Sequence, residues 1–250
     1  MFSFKVLKKN FRIFFFLILN FFFKEKLIIK SFGIYKLYLN INEYTSWSYI
    51  FNNKEKDEVK FIKKNFTSNC NAIDIGANLG FYTSLFASLS PLGKVFAFEP
   101  ELKNFQKLKK NIKLNNFNNV NANKLGISNY SGEGELILTS EINEGGHFIN
   151  NRGSKDKVFK SEKIFVDTAN NYFAKSILFF QFVKIDVEGH ELEVLQGMTN
   201  LLKNKIKFII IETYGQFQLV DDFLKQENFK LVFKTKLNSI YVTNNNIELK

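Results

Sequence analysis

The chain has 250 residues, of which 45% are apolar, so it can bury a full globular core and is not a disordered protein. Its net charge of +11 comes almost entirely from lysine, because Arg12 and Arg152 are its two arginines, and it carries no known nucleic-acid motif. We therefore expect no nucleic-acid partner. The single cysteine, Cys70, excludes an internal disulfide and a zinc–thiolate cluster, and it favours a reducing, cytoplasmic location.

The first 26 residues combine basic and apolar character. Lysines and Arg12 precede an apolar run at 13–23, which is shorter than the roughly 20 residues that a membrane span needs. Three structures fit this segment: a helix packed on the main domain, an anchor at the membrane interface, and a signal-like segment that lacks a cleavage site. We expect the packed helix. The anchor would give residues 1–26 a peripheral contact with the inner face of the membrane.

Residues 1–66 are expected to form an N-terminal extension. Its apolar pieces at 34–39 and 47–51 are typical of irregular strands or a hairpin. Apolar residues spaced among charges from 54 to 65 predict an amphipathic helix that leads into the main domain.

From residue 67 to 250, apolar strands alternate with amphipathic helices. The strands are predicted at 72–75, 95–98, about 120–124, 179–185 and 208–211, and the helices at 80–90, from Pro100 onward, 191–203 and 217–226. Turn residues interrupt the rhythm in an insertion at 126–166, where 135–138 and 163–166 predict a β-hairpin around a polar loop. Two short, antiparallel closing strands are predicted at 230–233 and 239–242. The alternation predicts an α/β fold with a doubly wound, mostly parallel sheet.

A small-residue turn between two acids predicts a cofactor site. Asp74 stands in an apolar strand just before the turn Gly76-Ala77-Asn78-Leu79-Gly80, and Glu99 ends the next strand, one β–α–β step later. A carboxylate at that second position can accept hydrogen bonds from a ribose diol. The final glycine of a dinucleotide fingerprint arrives one residue early, and no phosphate-binding Gly-Lys-Ser/Thr follows, which disfavours an NAD-dependent oxidoreductase. A cofactor with an adenosine and no phosphates, such as S-adenosylmethionine, fits better, because its positive groups suit Asp74.

A second cluster of ionisable residues follows the predicted strand at 179–185. Asp186, Glu188, His190 and Glu191 fall within six positions, and Glu212 ends the next strand in the same way. Ligands of open α/β sheets bind outside the carboxyl ends of the strands. This cluster should therefore border the turn after Asp74.

Taken together, these segments resemble the FkbM family of S-adenosylmethionine-dependent methyltransferases. The resemblance runs from about residue 38 to 241 and is carried by Ile73–Tyr82, Phe98-Glu99-Pro100, Asn111, Asn115, the loop 143–146, Lys184–Glu191 and Ile211-Glu212. It implies a seven-stranded Rossmann-like fold and methyl transfer, often to a hydroxyl of a sugar or polyketide-type molecule, including surface-polysaccharide sugars. The cofactor-binding residues that it implies are Asp74, Gly76, Ala77, Asn78, Gly80, Tyr82, Glu99, Pro100, Ile127, Ser128 and Asp186.

The expected chemistry is an in-line attack of an acceptor hydroxyl on the methyl group. His190 is the preferred general base because its ordinary pKa lies near neutrality, with Glu188, Glu212 and Asp186 as alternatives. His147, in a polar loop at 140–155, could approach the substrate if that loop closes. A divalent metal is not favoured, although Asp186 and Glu212 could hold one. A non-catalytic cofactor-binding module is the remaining alternative, and the sequence does not indicate an oligomeric state.

Overall fold

The computed structural model describes residues 27–41, 43–51, 55–138, 148–149, 160–213 and 215–244. Its strands are β1 Leu27–Ser31, β2 Lys36–Asn40, β3 Ala72–Ile75, β4 Val95–Phe98, β5 Val120–Asn123, β6 Gly126–Ile127, β7 Gly132–Leu138, β8 Phe148–Ile149, β9 Lys160–Asp167, β10 Phe180–Ile185, β11 Ile206–Glu212, β12 Phe229–Lys234 and β13 Asn238–Thr243. Its helices are α1 Tyr44–Phe51, α2 Lys56–Asn65, α3 Phe81–Leu89, α4 Leu102–Leu114, α5 Ala169–Tyr172, α6 Glu191–Gln196, α7 Thr199–Asn204 and α8 Phe217–Gln226. The predictions for residues 1–26 and for His147 lie outside the described residues.

The main sheet has seven strands in the order β12-β13-β11-β10-β3-β4-β5. Strands β5, β4, β3, β10 and β11 are parallel, while β13 pairs antiparallel with both β11 and β12. This confirms the predicted α/β class and its antiparallel closing strand. The carboxyl ends of β3, β4, β10 and β11 meet at one edge of the sheet, as the parallel pairing requires.

Apolar cores cover both faces of this sheet. Alternate residues of β10 point to opposite faces, so that Phe182 packs with α2 and α3 while Val183 packs with α6, α7 and α8. Every residue of β10 is buried, as expected for a central parallel strand covered on both sides. Lys184 lies on the same face as Phe182 and is 1% exposed, which is unusual for a lysine.

The predicted hairpin of the insertion is present. Strands β7 and β9 pair antiparallel, with Glu135 opposite Lys163. They belong to a smaller sheet of order β6-β9-β7-β8, in which β6 pairs parallel with β9. The division of the chain at residues 66 and 67 stays a prediction.

The N-terminal elements pack on the main domain through the hairpin β1–β2. The side chain of Asn111 on α4 accepts a hydrogen bond from Tyr38 N at 2.7 Å and donates one to Leu79 O at 2.8 Å. Asn115 forms a similar pair of bonds, both of 2.8 Å, with the backbone of Lys36. Helix α2 confirms the predicted amphipathic helix, with Ile62 fully buried.

Two predicted elements differ from the structure. Residues 47–51, which predicted a strand, belong to helix α1; the high β-propensity of their aromatic and β-branched side chains is overridden by packing on the main domain. The single helix predicted at 191–203 is divided into α6 and α7 at Gly197. A Cβ atom at Gly197 would come within 1.9 Å of Ser128 O, so the close approach of these two segments interrupts the helix. Within the described part of the chain, no helix has the length and apolar character of a membrane span.

Candidate functional site

Two adjoining cavities lie at the carboxyl edge of the main sheet. The larger, which we call the site cavity, has a volume of about 240 Å³, and the smaller, which we call the side cavity, has about 60 Å³. Gly76, Asn78, Asp186 and Glu188 line both. The turn after β3 and the loop after β10 thus form the shared wall of one cleft, at the position where open α/β sheets bind ligands.

The turn after β3 is held in a conformation that requires glycine. Gly76 has a φ of +78°, and a Cβ atom there would come within 1.9 Å of Asp186 O. Its N–H and that of Ala77 both donate to Phe98 O at 3.0 Å, so the turn is tied to β4. Backbone contact between the turn and the loop after β10 is therefore possible only without a side chain at position 76.

Asp74 is buried beneath this turn. Its side chain is 2% exposed, lines the site cavity and accepts a hydrogen bond from Thr83 Oγ1 at 2.5 Å. Burial raises the pKa of this carboxyl to about 6, although the Thr83 hydroxyl and the Lys184 ammonium oppose the shift. A positively charged ligand group in the cavity would favour the ionised form.

Glu99 occupies the corresponding position at the end of β4. Its carboxylate accepts hydrogen bonds from Asn78 N at 2.8 Å and from Glu101 N at 3.0 Å. Burial raises its pKa to about 8. It lines the side cavity together with the apolar residues Pro100 and Ile127, and the polar residues Asn78, Asn104, Asp186 and Glu188 complete the lining on that side. Such a cavity suits an adenosine, because the ring can contact the apolar side chains while the ribose hydroxyls reach the carboxylate.

A group of carboxylates lines the site cavity. One carboxylate oxygen each from Asp186, Glu188 and Glu212 lies within 4.8 Å of the others. Burial, the charge of Asp186 and a hydrogen bond with it raise the pKa of Glu212 to about 9, so Glu212 holds a proton at neutral pH. These oxygens are of the type that divalent cations bind.

The buried ammonium of Lys184 already neutralises part of this group. Its Nζ lies 3.1 Å from Asp186 Oδ2 and 3.2 Å from Asn238 Oδ1. Burial alone lowers the pKa of an ammonium, but the neighbouring carboxylates more than offset this effect and raise the pKa of Lys184. A metal cation at these carboxylates would therefore compete with the Lys184 ammonium, which the fold holds in place.

The loop after β10 separates two residues that are neighbours in sequence. Glu188 and Gly189 have φ values of +52° and +98°, and this bend directs Glu188 to the cavity. His190, by contrast, is 2% exposed and does not line either cavity; its Nε2 lies 3.0 Å from Ser128 Oγ. Glu191 accepts hydrogen bonds from Val187 N and Gly189 N at 3.2 Å and thereby closes the loop.

Of the other residues predicted to bind the cofactor, some line the cavities and some do not. Ala77 and Tyr82 line the site cavity, and the Tyr82 hydroxyl is buried without a hydrogen-bond partner among the described residues. A polar ligand group would satisfy it. Gly80 packs against Leu108 on α4, and Ser128 is fully buried against His190, so neither reaches the cleft walls.

Sequence reasoning missed the part of the wall that comes from distant elements. These residues are Thr45, Ser48, Tyr49, Glu55, Leu237 and Asn238. They belong to α1, to the start of α2 and to the turn before β13, and no local pattern marks them. Tertiary contacts bring them to the site, as in the pairing of Asn238 with Glu212 across the sheet.

Comparison with known proteins agrees with this geometry. The family model of the methyltransferase FkbM domain matches residues 74–231. Hexuronic acid methyltransferase AglP of Haloferax volcanii is 29% identical over 162 residues, which cover 64% of this chain and 63% of that protein. Methyltransferase sdnD of Sordaria araneosa is 27% identical over 179 residues, which cover 60% of this chain and 68% of that protein. The match thus spans less than two-thirds of the length of AglP.

Solved structures share the fold at low sequence identity. Methyltransferase FkbM from Methylobacillus flagellatus has a TM-score of 0.50 and 16% identity, with 71% of this chain and 44% of that chain covered. The tRNA m1G37 methyltransferase of M. jannaschii has a TM-score of 0.50 and 13% identity, with 89% of this chain and 58% of that chain covered. The family model extends over more than half of the sequence, from Asp74 in β3 into the closing strand β12. The chain therefore belongs to the methyltransferase FkbM domain family.

Proposed function

We propose that this chain binds S-adenosylmethionine in the cleft and transfers its methyl group to a hydroxyl of a small-molecule or glycan acceptor. The observation that carries the proposal is the pair of buried carboxylates, Asp74 and Glu99, at the ends of adjacent parallel strands and facing two joined cavities. Membership of the methyltransferase family supports the same function. When bound, S-adenosylmethionine supplies a methyl group already activated on a positive sulfonium.

The protein's own residues would hold the two ends of this cofactor. Glu99, in the side cavity, would accept hydrogen bonds from the ribose hydroxyls, and Pro100 and Ile127, which line the same cavity, would contact the adenine. The turn at Gly76 and the carboxylate of Asp74 face the amino-acid end in the site cavity. This assignment leaves the carboxyl groups of Asp186 and Glu212, which also line the site cavity, to meet the acceptor.

The acceptor hydroxyl would have to lose a proton as its oxygen takes the methyl group, for which the bound cofactor would supply the neutral sulfur leaving group. We assign this proton to the ionised member of the Asp186–Glu212 pair, because both line the site cavity and His190 does not. General-base help of this kind contributes about 10²–10⁴-fold to the rate. Lys184 positions Asp186, with its Nζ 3.1 Å from Asp186 Oδ2, and places a positive charge beside that carboxyl group. This route needs no metal.

The similarity to a hexuronic acid methyltransferase supports a sugar as the acceptor. An NAD-dependent oxidoreductase has less support, because the final glycine of its fingerprint is displaced. A cytoplasmic location belongs to the same proposal and rests on the sequence, with residues 1–26 predicted as a packed helix and an anchor at the inner face of the membrane as the alternative.

The test is calorimetric titration of S-adenosylmethionine, S-adenosylhomocysteine and NAD into the wild type, Asp74→Asn/Glu99→Gln and the surface control Asp222→Asn/Glu133→Gln. We expect saturable binding of the first two ligands, lost in the first variant and kept in the second. Asp186→Asn should keep S-adenosylhomocysteine binding and lose methyl transfer to a sugar panel by about 10²-fold or more. Folded protein that binds neither ligand, or binds NAD instead, would overturn the proposal.

A further inference from the structure

A third cavity adjoins the site cavity and has a different chemistry. We call it the lysine cavity; its volume is about 440 Å³. It shares Tyr49 and Phe81 with the walls of the site cavity, so the two are neighbours across one pair of aromatic rings. The other lining residues used here are Phe32 and Tyr35 between the first strands, Lys30 on β1, and Lys56, Lys60 and Lys63 on α2.

The aromatic residues form a rigid wall. Tyr49 and Phe81 stack with ring centroids 4.5 Å apart, and Phe32 stacks on Tyr35 at 5.2 Å. Phe81 also meets Phe32 edge-on at 5.5 Å. Interlocked rings lose little freedom when a ligand binds, and the parts of them that line the cavity give a sugar ring an apolar surface to pack on.

The lysines give the cavity a positive charge. Lys56, Lys60 and Lys63 recur at the spacing of one helical face, and all three are exposed. Lys30 is fixed differently, since its Nζ donates to Tyr49 O and Ile50 O at 2.8 Å each. Among the described residues, no acidic side chain lines this cavity.

The charges of the two neighbouring cavities are opposite. Five acidic residues, Glu55, Asp74, Asp186, Glu188 and Glu212, line the site cavity; with Glu212 protonated and Lys184 beside them, the acids still outnumber the lysine, whereas four lysines line the neighbouring cavity. An anionic ligand entering the cleft is therefore attracted to the lysine cavity and repelled from the carboxylates. A neutral sugar would gain no attraction between net charges from the three lysines on this face of α2.

We propose that the lysine cavity binds an anionic group, a carboxylate or a phosphate, carried by the acceptor, so that the methylated molecule is an acidic saccharide. This rests on the proposed function, because the site cavity next to it must hold the methyl donor. The aromatic wall holds the sugar ring between the two cavities. The lysines pair with the anion by charge-assisted hydrogen bonds.

The test measures binding of methyl β-glucuronide, glucose 1-phosphate and methyl β-glucoside to protein saturated with S-adenosylhomocysteine, by saturation-transfer NMR and calorimetry. The variant is Lys56→Gln/Lys60→Gln/Lys63→Gln. Its matched control, Lys103→Gln/Lys110→Gln/Lys113→Gln, removes the same charge from exposed positions on α4. Circular dichroism verifies that both are folded.

We expect at least one anionic probe to bind the wild type and the control, the neutral glucoside to bind at least about tenfold more weakly, and the first variant to lose about tenfold in affinity for the anion. The carboxylate and phosphate probes identify which anion is preferred. Equal binding of neutral and anionic probes, no binding of either anion, or equal loss in both variants would overturn the proposal. S-adenosylhomocysteine binding, measured first, separates these outcomes from failure of the proposed function.

Discussion

At the scale of single residues, Glu99 makes the stability of the ligand-free protein depend on pH. Burial raises its pKa from the ordinary 4.5 to about 8, so the folded state binds this proton more tightly than the unfolded state. The stabilisation that this bound proton gives to the folded state is fully present below the pKa of Glu99 in the unfolded chain, about 4.5. It is lost as the pH rises through the pKa of Glu99 in the folded protein, about 8. We predict that Glu99→Gln, which cannot ionise, gains stability relative to the wild type between about pH 5 and pH 8, with a slope of at most about 1.4 kcal/mol per pH unit.

Urea unfolding of the wild type and Glu99→Gln at several pH values measures this slope. Glu133→Gln is the control, because Glu133 is 68% exposed on β7 and its ion pair with Lys163 spans 3.7 Å. The control should follow the pH dependence of the wild type. If Glu99→Gln follows it as well, the proton on Glu99 does not contribute to the stability of the fold.

The candidate base shows what the sequence can predict at this scale. Asp186, Glu188 and Glu212 were predicted at the cleft because they follow parallel strands, and they line it. His190 was predicted there because it is two positions from Glu188. The two left-handed backbone angles between them turn the chain, and His190 packs on Ser128 instead. Positive φ at a non-glycine residue such as Glu188 has no reliable sequence signal.

At the scale of elements, the turn after β3 depends on contact with the loop after β10. Gly76 and Gly215 have the same φ of +78°, but a Cβ atom would meet Asp186 O at 1.9 Å at the first position and nothing within 4 Å at the second. Alanine at either position strains the backbone by about 1 kcal/mol. We predict that Gly76→Ala lowers the free energy of unfolding by about 2 kcal/mol or more beyond the loss in Gly215→Ala.

Denaturant unfolding of both variants isolates the steric contribution, because the backbone strain is matched. The Gly76→Ala protein should also lose S-adenosylhomocysteine binding at temperatures where it remains folded, since the loops that form the shared cleft wall must separate. Equal destabilisation of the two variants would mean that the β3 turn and the loop after β10 adjust to each other freely.

The elements that the sequence predicted are those whose signal is local. Strand β10 is an unbroken buried run, and β3 and β4 end next to acids, so their positions and parallel order could be predicted. Helix α1 could not be predicted, because its aromatic residues favour a strand by intrinsic propensity. They form a helix here because they pack on the main domain. The break at Gly197 is set by Ser128, which is 69 positions away in sequence (197 − 128). Contacts of this range leave no pattern in a single sequence.

At the scale of the whole molecule, the N-terminal elements complete the site rather than merely precede it. Tyr49 and Glu55 line the site cavity, and residues of β1, α1 and α2 line the lysine cavity. Their attachment to the main domain therefore affects ligand binding. The side chain of Asn111, which is 1% exposed, joins Tyr38 N of β2 to Leu79 O of the β3 turn.

We predict that Asn111→Ala lowers the free energy of unfolding by about 1–3 kcal/mol, because it leaves a partly buried N–H and a buried C=O without these partners. Asn115→Ala is the matched control: its two bonds to Lys36 lie at an exposed position where water can replace the amide, so the loss should stay below about 1 kcal/mol. Hydrogen exchange provides the local readout. The Tyr38 amide should exchange faster in Asn111→Ala than in Asn115→Ala, and similar exchange in both would show that β2 is held by the apolar contacts of Leu37 and Leu39 instead.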